Sequence, residues 1–236
     1  MIDINCDVGE GLNNEHLLIP YISSCNIACG GHAGDIETMT KVVLLAAKYK
    51  IKIGSHPSYP DKENFGRKSI EISKSDLSKT IIEQIQTLEN VVDNFGLQLH
   101  HIKPHGALYN DIAKNETLAN WFLDITEVYK TKYKLYVPYN SAIAKEAKRR
   151  KFDIIYEAFA DRNYKDDGNL VSRQNSDAII SDINEMITHI SQIINEGKVS
   201  TISGKKILIK AGTFCVHSDT KNAVEIVKTL HKTFNR

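Results

Sequence analysis

Short apolar runs alternate along this chain with longer stretches in which apolar residues recur every three or four positions. The short runs predict strands, and the longer stretches predict amphipathic helices. The predicted strands cover 2–6, 25–29, 51–55, 97–102, 135–137, 152–158 and 206–211. The predicted helices cover 15–22, 36–50, 75–94, 118–129, 141–150, 178–195 and 222–234.

The helix predicted over 36–50 has the clearest boundaries. Met39, Val43 and Ala46 fall on one face, as expected for a helix that packs against a sheet. Asp35 precedes it and is suited to cap its N-terminus. The longest pattern, 75–94, is followed by Gly96, which supplies a C-terminal stop.

Repeated strand–helix units imply parallel strands joined by right-handed crossovers. Such an α/β chain forms either an open doubly wound sheet or a closed barrel. Polar, chemically active residues follow at least five different predicted strands here. Because a barrel gathers its strand ends at one mouth, we predict a distorted (β/α) barrel of seven rather than eight strands. Residues 1–236 are expected to form one domain.

Composition excludes several classes of protein. The formal net charge is +1 over 236 residues, which argues against nucleic-acid or membrane-surface partners. The chain has no apolar run near the ~20 residues of a membrane helix and no apparent signal peptide, so we expect a cytoplasmic protein. The cysteines are expected to be buried thiols rather than disulfides or zinc ligands: Cys6, Cys25, Cys29 and Cys215.

Three histidines, His32, His56 and His105, follow different predicted strands, and Asp7 follows the first. A barrel mouth would bring them together. Carboxylate and imidazole suit a divalent ion such as zinc, with Asp7, His32 and His56 as the candidate ligands. The same groups could instead activate water or orient a substrate without metal. The spacing leaves both interpretations open.

The segment 103–106 places Lys103 and His105 on a stiff turn, because Pro104 fixes φ and Gly106 permits close backbone approach. Lys103 could pair with a carboxylate or a developing negative charge. A Schiff base is the alternative, and it would require a depressed lysine pKa. A purely structural salt bridge is the third interpretation.

Arginines at the same edge could hold a substrate carboxylate through two parallel hydrogen bonds. Arg67 and Arg162 are the main candidates, although an Asp–Arg neighbour pair is often only a loop clasp. The polar residues near 218–220 could simply cap the last helix. Further substrate-binding candidates are Glu10, Tyr109, Glu157, Asp161, His217 and Asp219.

Several common nucleotide and hydrolase motifs are missing. The sequence has no Gly-x4-Gly-Lys-Ser/Thr loop, no Gly-x-Gly-x-x-Gly fingerprint and no Gly-x-Ser-x-Gly elbow. A self-contained P-loop ATPase, a Rossmann dehydrogenase and an α/β-hydrolase are therefore disfavoured.

Taken in order, the motifs resemble those of the LamB/YcsF family across nearly the whole chain. Small departures occur at Gly31, where the family usually has Phe, and at Lys68, Ser172 and Ser218. The matching segments are 5–10, 26–35, 54–59, 65–67, 103–110, 159–164 and 215–220.

The resemblance implies ATP-dependent opening of 5-oxo-L-proline to L-glutamate, with ATP as co-substrate and 5-oxoprolinase subunits B and C as partners. It also implies a barrel like that of glycoside hydrolases and polysaccharide deacetylases. Since the phosphate loop is missing, we expect the partners to handle much of the nucleotide. A homo-oligomer is compatible with this interpretation.

The family resemblance also suggests roles for the strand-end residues. Asp7 or His105 would act as general base, and Lys103 and His32 would stabilise an oxyanion or phosphate. Arg162 or Arg67 would hold the substrate carboxylate. Two rival functions remain: a stand-alone metal-dependent amidohydrolase or deacetylase, and a non-catalytic subunit that binds oxoproline.

Overall fold

The short apolar runs form strands and the longer amphipathic stretches form helices. A computed structural model describes residues 1–235. The strands are β1 Ile4–Val8, β2 Ser24–Ala28, β3 Lys52–His56, β4 His101–Ile102, β5 Lys134–Pro138, β6 Ile154–Phe159, β7 Lys198–Ser200, β8 Lys206–Leu208 and β9 Thr213–Val216. The α-helices are α1 Glu15–Leu18, α2 Ile36–Tyr49, α3 Lys74–Asp93, α4 Gly106–Lys114, α5 Glu116–Thr126, α6 Ala142–Arg149, α7 Ile183–Glu196 and α8 Ala223–Phe234.

Seven parallel strands close into a barrel in the order β1-β2-β3-β4-β5-β6-β9. Strand β9 closes it by pairing with both β1 and β6. The predicted seven-stranded α/β barrel is therefore confirmed. Parallel strands leave all their carboxyl ends at one mouth, and this is where the polar motifs lie.

The predicted strand over 206–211 is wrong as a barrel strand. Strand β8 instead pairs antiparallel with β7 in a two-stranded sheet separate from the barrel. Its Lys206 and Leu208 are exposed, whereas every residue of Thr213–Val216 is buried. The final barrel strand is thus the short, fully buried run Thr213–Val216. The periodicity did not separate this run from the predicted strand over 206–211.

Other boundaries also differ from the prediction. The run 97–102 contributes only the two residues of β4 to the sheet. Helix α4 was not predicted, because its first turn overlaps the Lys-Pro-His-Gly motif. The capping prediction is confirmed, since the Asp35 carboxylate accepts a hydrogen bond from Thr38 N at 2.7 Å.

Polar side chains lie inside the barrel and support the residues at its mouth. Asn5, Asn26 and His101 are fully buried and are linked by hydrogen bonds. Asn26 Nδ2 donates to Asn5 Oδ1 and to Asp7 Oδ1, both at 2.7 Å. His101 Nε2 donates to Asn26 Oδ1 at 2.7 Å. Buried polar groups need such partners, so this network fixes the side chains at the base of the mouth.

His101 is held by packing as well as by its hydrogen bond. Its ring stacks on Tyr136, with centroids 3.8 Å apart. Burial and the neighbouring His100 hold the pKa of His101 well below its usual range, so the ring is neutral. Gly54 leaves the space that the ring fills.

The cysteines are buried, as expected. All four cysteines are buried free thiols. Among residues 1–235, no helix is sufficiently long and apolar to span a lipid bilayer.

We expect Gly54→Ala to lower the free energy of unfolding by about 1–3 kcal/mol, the usual cost of overpacking a core. A β-carbon at this position would lie 2.1 Å from His101 Nε2. Urea denaturation measures the loss. The double variant with His101→Ala removes the obstruction, so its loss should be smaller than the sum of the two single losses. Simple additivity would contradict the steric explanation.

Candidate active site

A pocket of about 560 Å³ opens at the carboxyl ends of the barrel strands. Side chains from several different strand ends line it. They come from β1, from β3, from the loop after β4, from β6 and from the end of β9. The polar lining includes Asp7, Glu10, His56, Lys103, His105, Tyr109, Arg162 and His217.

Lys103 lies at the base of this pocket and is 2% exposed. Its Nζ is 2.8 Å from Asp7 Oδ1, 3.0 Å from Glu157 Oε1 and 3.1 Å from Cys215 Sγ. Burial opposes the charge, but Asp7, Cys215 and Glu157 outweigh it and raise the pKa of Lys103 well above its usual range. A permanently protonated amine is not a nucleophile, so this arrangement disfavours the Schiff-base alternative.

Asp7 is held in its ionised form. Burial alone would raise its pKa, but His56 and Lys103 hold that pKa well below the usual range. Its Oδ1 accepts hydrogen bonds from Lys103 and Asn26, and its Oδ2 lies 3.4 Å from His56 Nε2. A carboxylate stabilised in this way is a weak proton acceptor. The geometry therefore favours an electrostatic role for Asp7 over the role of general base.

His32, His56 and His105 meet beside Glu10. The His32 and His105 rings are stacked, with centroids 3.6 Å apart and planes inclined by 3°. His56 Nε2 lies 2.9 Å from His105 Nδ1, and His32 Nε2 lies 2.9 Å from Glu10 Oε1. The topology thus brings together the three histidines that the sequence singled out.

Two backbone carbonyls orient these rings. His56 Nδ1 donates to Lys103 O at 2.7 Å, and His105 Nε2 donates to Phe65 O at 2.9 Å. Since a carbonyl oxygen only accepts, each contacting nitrogen carries a proton. Burial, with His32 and His56 nearby, holds the pKa of His105 well below its usual range. A neutral, buried His105 is poorly suited to cycle as a general base near neutral pH.

His217 has the arrangement expected of a proton-transfer group. Its Nδ1 donates to Asp161 Oδ1 at 3.0 Å, and Asp161 also accepts from Thr220 Oγ1 at 2.6 Å. The carboxylate fixes the ring and leaves Nε2 available on a histidine that lines the pocket. Burial would raise the pKa of Asp161, but His217 and Thr220 lower it to about 2.

The two arginines predicted to bind substrate lie in different places. One supports a loop and the other lies at the rim of the pocket. Arg162 is 6% exposed, and it donates to Ala178 O at 3.1 Å and Val171 O at 2.5 Å. Two of its five N–H groups thus hold the loop after β6. Arg67 lies at the rim and pairs with Asp219 at 2.5 Å. Arg67 is therefore the more accessible candidate for a substrate carboxylate.

Glu157 pairs with Lys103, and Tyr109 lies near Glu157. Asn5 Nδ2 donates to Glu157 Oε1 at 3.0 Å, which fixes one carboxylate oxygen. Burial and the nearby Glu157 raise the pKa of Tyr109 well above its usual range. Tyr109 thus stays a protonated phenol that can donate a hydrogen bond.

Sequence reasoning gave no supporting role to Asn5, Asn26, His101 or Cys215. A signal was present: Asn5 and Asp7 occupy alternate positions of a strand whose other residues are apolar, so both point to the same face. The partners of these residues come from distant strands and are visible only in the closed barrel.

Local packing explains why this chain has Gly31 where the family usually has Phe. A β-carbon there would lie 2.3 Å from Gln84 Oε1 and 2.4 Å from Ser58 Oγ. Gln84 of α3 is buried. Its side-chain oxygen accepts a hydrogen bond from Ser58 N, and its side-chain nitrogen donates one to Ser58 O. This packing has no room for a larger side chain at position 31.

Solved structures show the same barrel. The lactam utilization protein of Thermus thermophilus superposes with a TM-score of 0.92 at 29% identity, covering 99% of this chain and 96% of that one. A GH113 β-1,4-mannanase gives a TM-score of 0.51 at 10% identity, covering 98% of each chain. The second likeness concerns the fold alone.

Sequence relatives define the family. The profile of the LamB/YcsF family matches residues 2–236. The A subunit of 5-oxoprolinase from Bacillus cereus strain AH187 is 38% identical, covering 99% of this chain and 94% of the relative. The protein of the same name from Bacillus thuringiensis subsp. konkukian strain 97-27 is 37% identical with the same coverage. The chain belongs to the LamB/YcsF family.

We expect Asp161→Asn to cost about 2 kcal/mol of stability at neutral pH, at about 1.4 kcal/mol per pKa unit. The folded-state pKa of Asp161 is lowered from 3.8 to about 2. Its contribution is therefore present above about pH 4 and is lost as the pH falls towards about 2. Urea unfolding at several pH values should show the gap between wild type and variant closing on acidification.

The exposed carboxylate Asp177 provides the matched control for this experiment. Asp177→Asn should differ little from wild type at any pH. A gap for Asp161→Asn that stays constant from neutral to acid pH would contradict the assignment of an ionised, His217-paired carboxylate.

Proposed function

We propose that this chain is the A subunit of an ATP-dependent 5-oxoprolinase, which hydrolyses 5-oxo-L-proline to L-glutamate with subunits B and C. The names of relatives at 37–38% identity support the reaction. The observation that carries the proposal is the fixed Lys103 ammonium at the base of the pocket that His217, held by Asp161, also lines.

The proposed chemistry is addition of water to the lactam carbonyl carbon followed by cleavage of the C–N bond. The oxygen on that carbon carries negative charge during the reaction, as an oxyanion or as the phosphate that ATP places on it. Lys103 would stabilise that charge by exchanging one of its longer contacts, to Cys215 Sγ at 3.1 Å or to Asn5 Oδ1 at 3.4 Å, for the substrate oxygen. Asp7 and Glu157 keep the ammonium in place.

His217 would move the protons. Its Nε2 would take a proton from the attacking water and return one to the ring nitrogen, which leaves as the amine of glutamate. Asp161 would hold the ring and stabilise the imidazolium while it carries the proton. This assigns to His217 the role that the sequence interpretation gave to Asp7 or His105.

ATP would make the lactam reactive. Amides are poor electrophiles, and transfer of the γ-phosphoryl group of ATP to the lactam oxygen would make the carbon more electrophilic. Water addition and C–N cleavage would then give an acyl phosphate, which a second water would hydrolyse to the glutamate carboxylate and inorganic phosphate. Because the sequence lacks a phosphate loop, we assign most nucleotide binding to the partner subunits. Arg67, at the rim of the pocket, would hold the substrate carboxylate.

The function is tested by measuring glutamate formed from 5-oxo-L-proline with ATP, with this chain alone, subunits B and C alone, and all three together. Only the complete set should turn over. Turnover by this chain without ATP or partners would favour the stand-alone amidohydrolase. Equal turnover by B and C alone would favour a subunit that only binds oxoproline.

We expect His217→Gln to lower kcat in the complete assembly by about 10²- to 10⁴-fold, the usual contribution of a general acid–base group. The change removes the transferable proton but keeps a polar side chain. His16→Gln, an exposed position on α1, is the matched control and should retain wild-type kcat. A His217→Gln variant with wild-type kcat would remove this residue from the mechanism.

A further inference from the structure

Glu10, His56 and His105 bring three possible metal-ligand atoms close together. His56 Nε2 lies 2.9 Å from His105 Nδ1 and 3.9 Å from Glu10 Oε1. His105 Nδ1 lies 3.3 Å from Glu10 Oε1. With His32 included, one ligand atom from each of the four residues lies within 4.8 Å of every other.

The two imidazoles face each other through His56 Nε2 and His105 Nδ1. His56 Nδ1 and His105 Nε2 carry their protons because both donate to backbone carbonyls, those of Lys103 and Phe65. The facing nitrogens, His56 Nε2 and His105 Nδ1, are the two positions left to share one proton or to bind one metal cation. Neighbouring Glu10 adds negative charge at the same point.

We propose that Glu10, His56 and His105 bind one divalent transition-metal ion of the zinc class. In a tetrahedral zinc site with bonds of about 2.0–2.1 Å, neighbouring ligand atoms are about 3.3 Å apart. The three separations observed here, 2.9, 3.3 and 3.9 Å, bracket that value. Two histidines and one carboxylate form a common catalytic zinc set. Metal binding does not depend on the proposed hydrolase function.

His32 supports this site from outside the ligand set. Its ring is parallel to that of His105 at 3.6 Å, so both rings cannot direct in-plane lone pairs at one ion. Instead His32 Nε2 contacts Glu10 Oε1 at 2.9 Å and holds the carboxylate. Partners of this kind orient metal ligands. The open coordination position would face the pocket, which all three ligands line.

This ligand set differs from the one suggested by the sequence. Asp7 Oδ1 is already bonded to Lys103 and Asn26. Asp7 Oδ2 lies 3.4 Å from His56 Nε2, but Asp7 clusters with Cys215 and His217, whereas Glu10 clusters with His32, His56 and His105. Glu10 and His105 take its place beside His56.

The test is titration of the chelator-treated, folded chain with Zn²⁺ by calorimetry and with Co²⁺ by visible absorption. We expect one equivalent of either ion. Glu10→Gln and His105→Ala should weaken binding by more than about 100-fold, since loss of a ligand's outer partner alone costs about 10- to 100-fold. His32→Gln should fall within that smaller range. The exposed residues supply matched controls, Glu37→Gln and His16→Ala, which should bind like wild type.

A measurement on the wild-type chain avoids any dependence on the folding of variants. Zn²⁺ should shift the imidazole ¹⁵N resonances of His56 Nε2 and His105 Nδ1 and leave those of His16 unchanged. The proposal is overturned if the folded wild type binds neither ion saturably, which would leave a shared proton between the imidazoles. It is also overturned if folded Glu10→Gln and His105→Ala bind both ions as tightly as wild type.

Discussion

The site depends on one buried ammonium group and the two carboxylates that hold it. Lys103 follows β4, Asp7 is on β1 and Glu157 is on β6, so their contacts join strands from around the barrel. Removing one partner of a buried ion pair typically costs about 3–5 kcal/mol, because the remaining charge is left without compensation. The asparagines Asn5 and Asn26 bond the same carboxylates, and the polar barrel interior is therefore the foundation of the pocket.

Asp7 lies between two groups of histidines with different chemistry. On one side, His56 and His105 are oriented by backbone carbonyls and face each other and Glu10. On the other side, His217 is oriented by Asp161 and keeps a nitrogen available to the pocket. The first arrangement suits the binding of a cation and the second suits proton transfer. A fixed cation at Lys103 between them suits a reaction in which an oxyanion develops.

The sequence predicted the seven-stranded barrel because strand–helix alternation and strand-end polar residues depend on local patterns. Its candidate residues His56, His105, His217, Lys103 and Asp7 all line the pocket at the barrel mouth. It could not distinguish the peripheral strand at 206–208 from the barrel strand at 213–216, because both are short and β-like. Nor could it assign His217 its partner Asp161, or show that Arg162 supports a loop. Those facts depend on contacts between residues that are distant in the sequence.

The most direct test of the central claim is turnover of 5-oxo-L-proline by the complete ATP-driven assembly containing Asp7→Asn. This substitution leaves Lys103 paired with Glu157, so the chain should fold and co-elute with its partner subunits. The account predicts that glutamate formation falls by at least about 10²-fold, comparable to the loss of one electrostatic contact to a transition state. An assembled Asp7→Asn enzyme with wild-type turnover would contradict it.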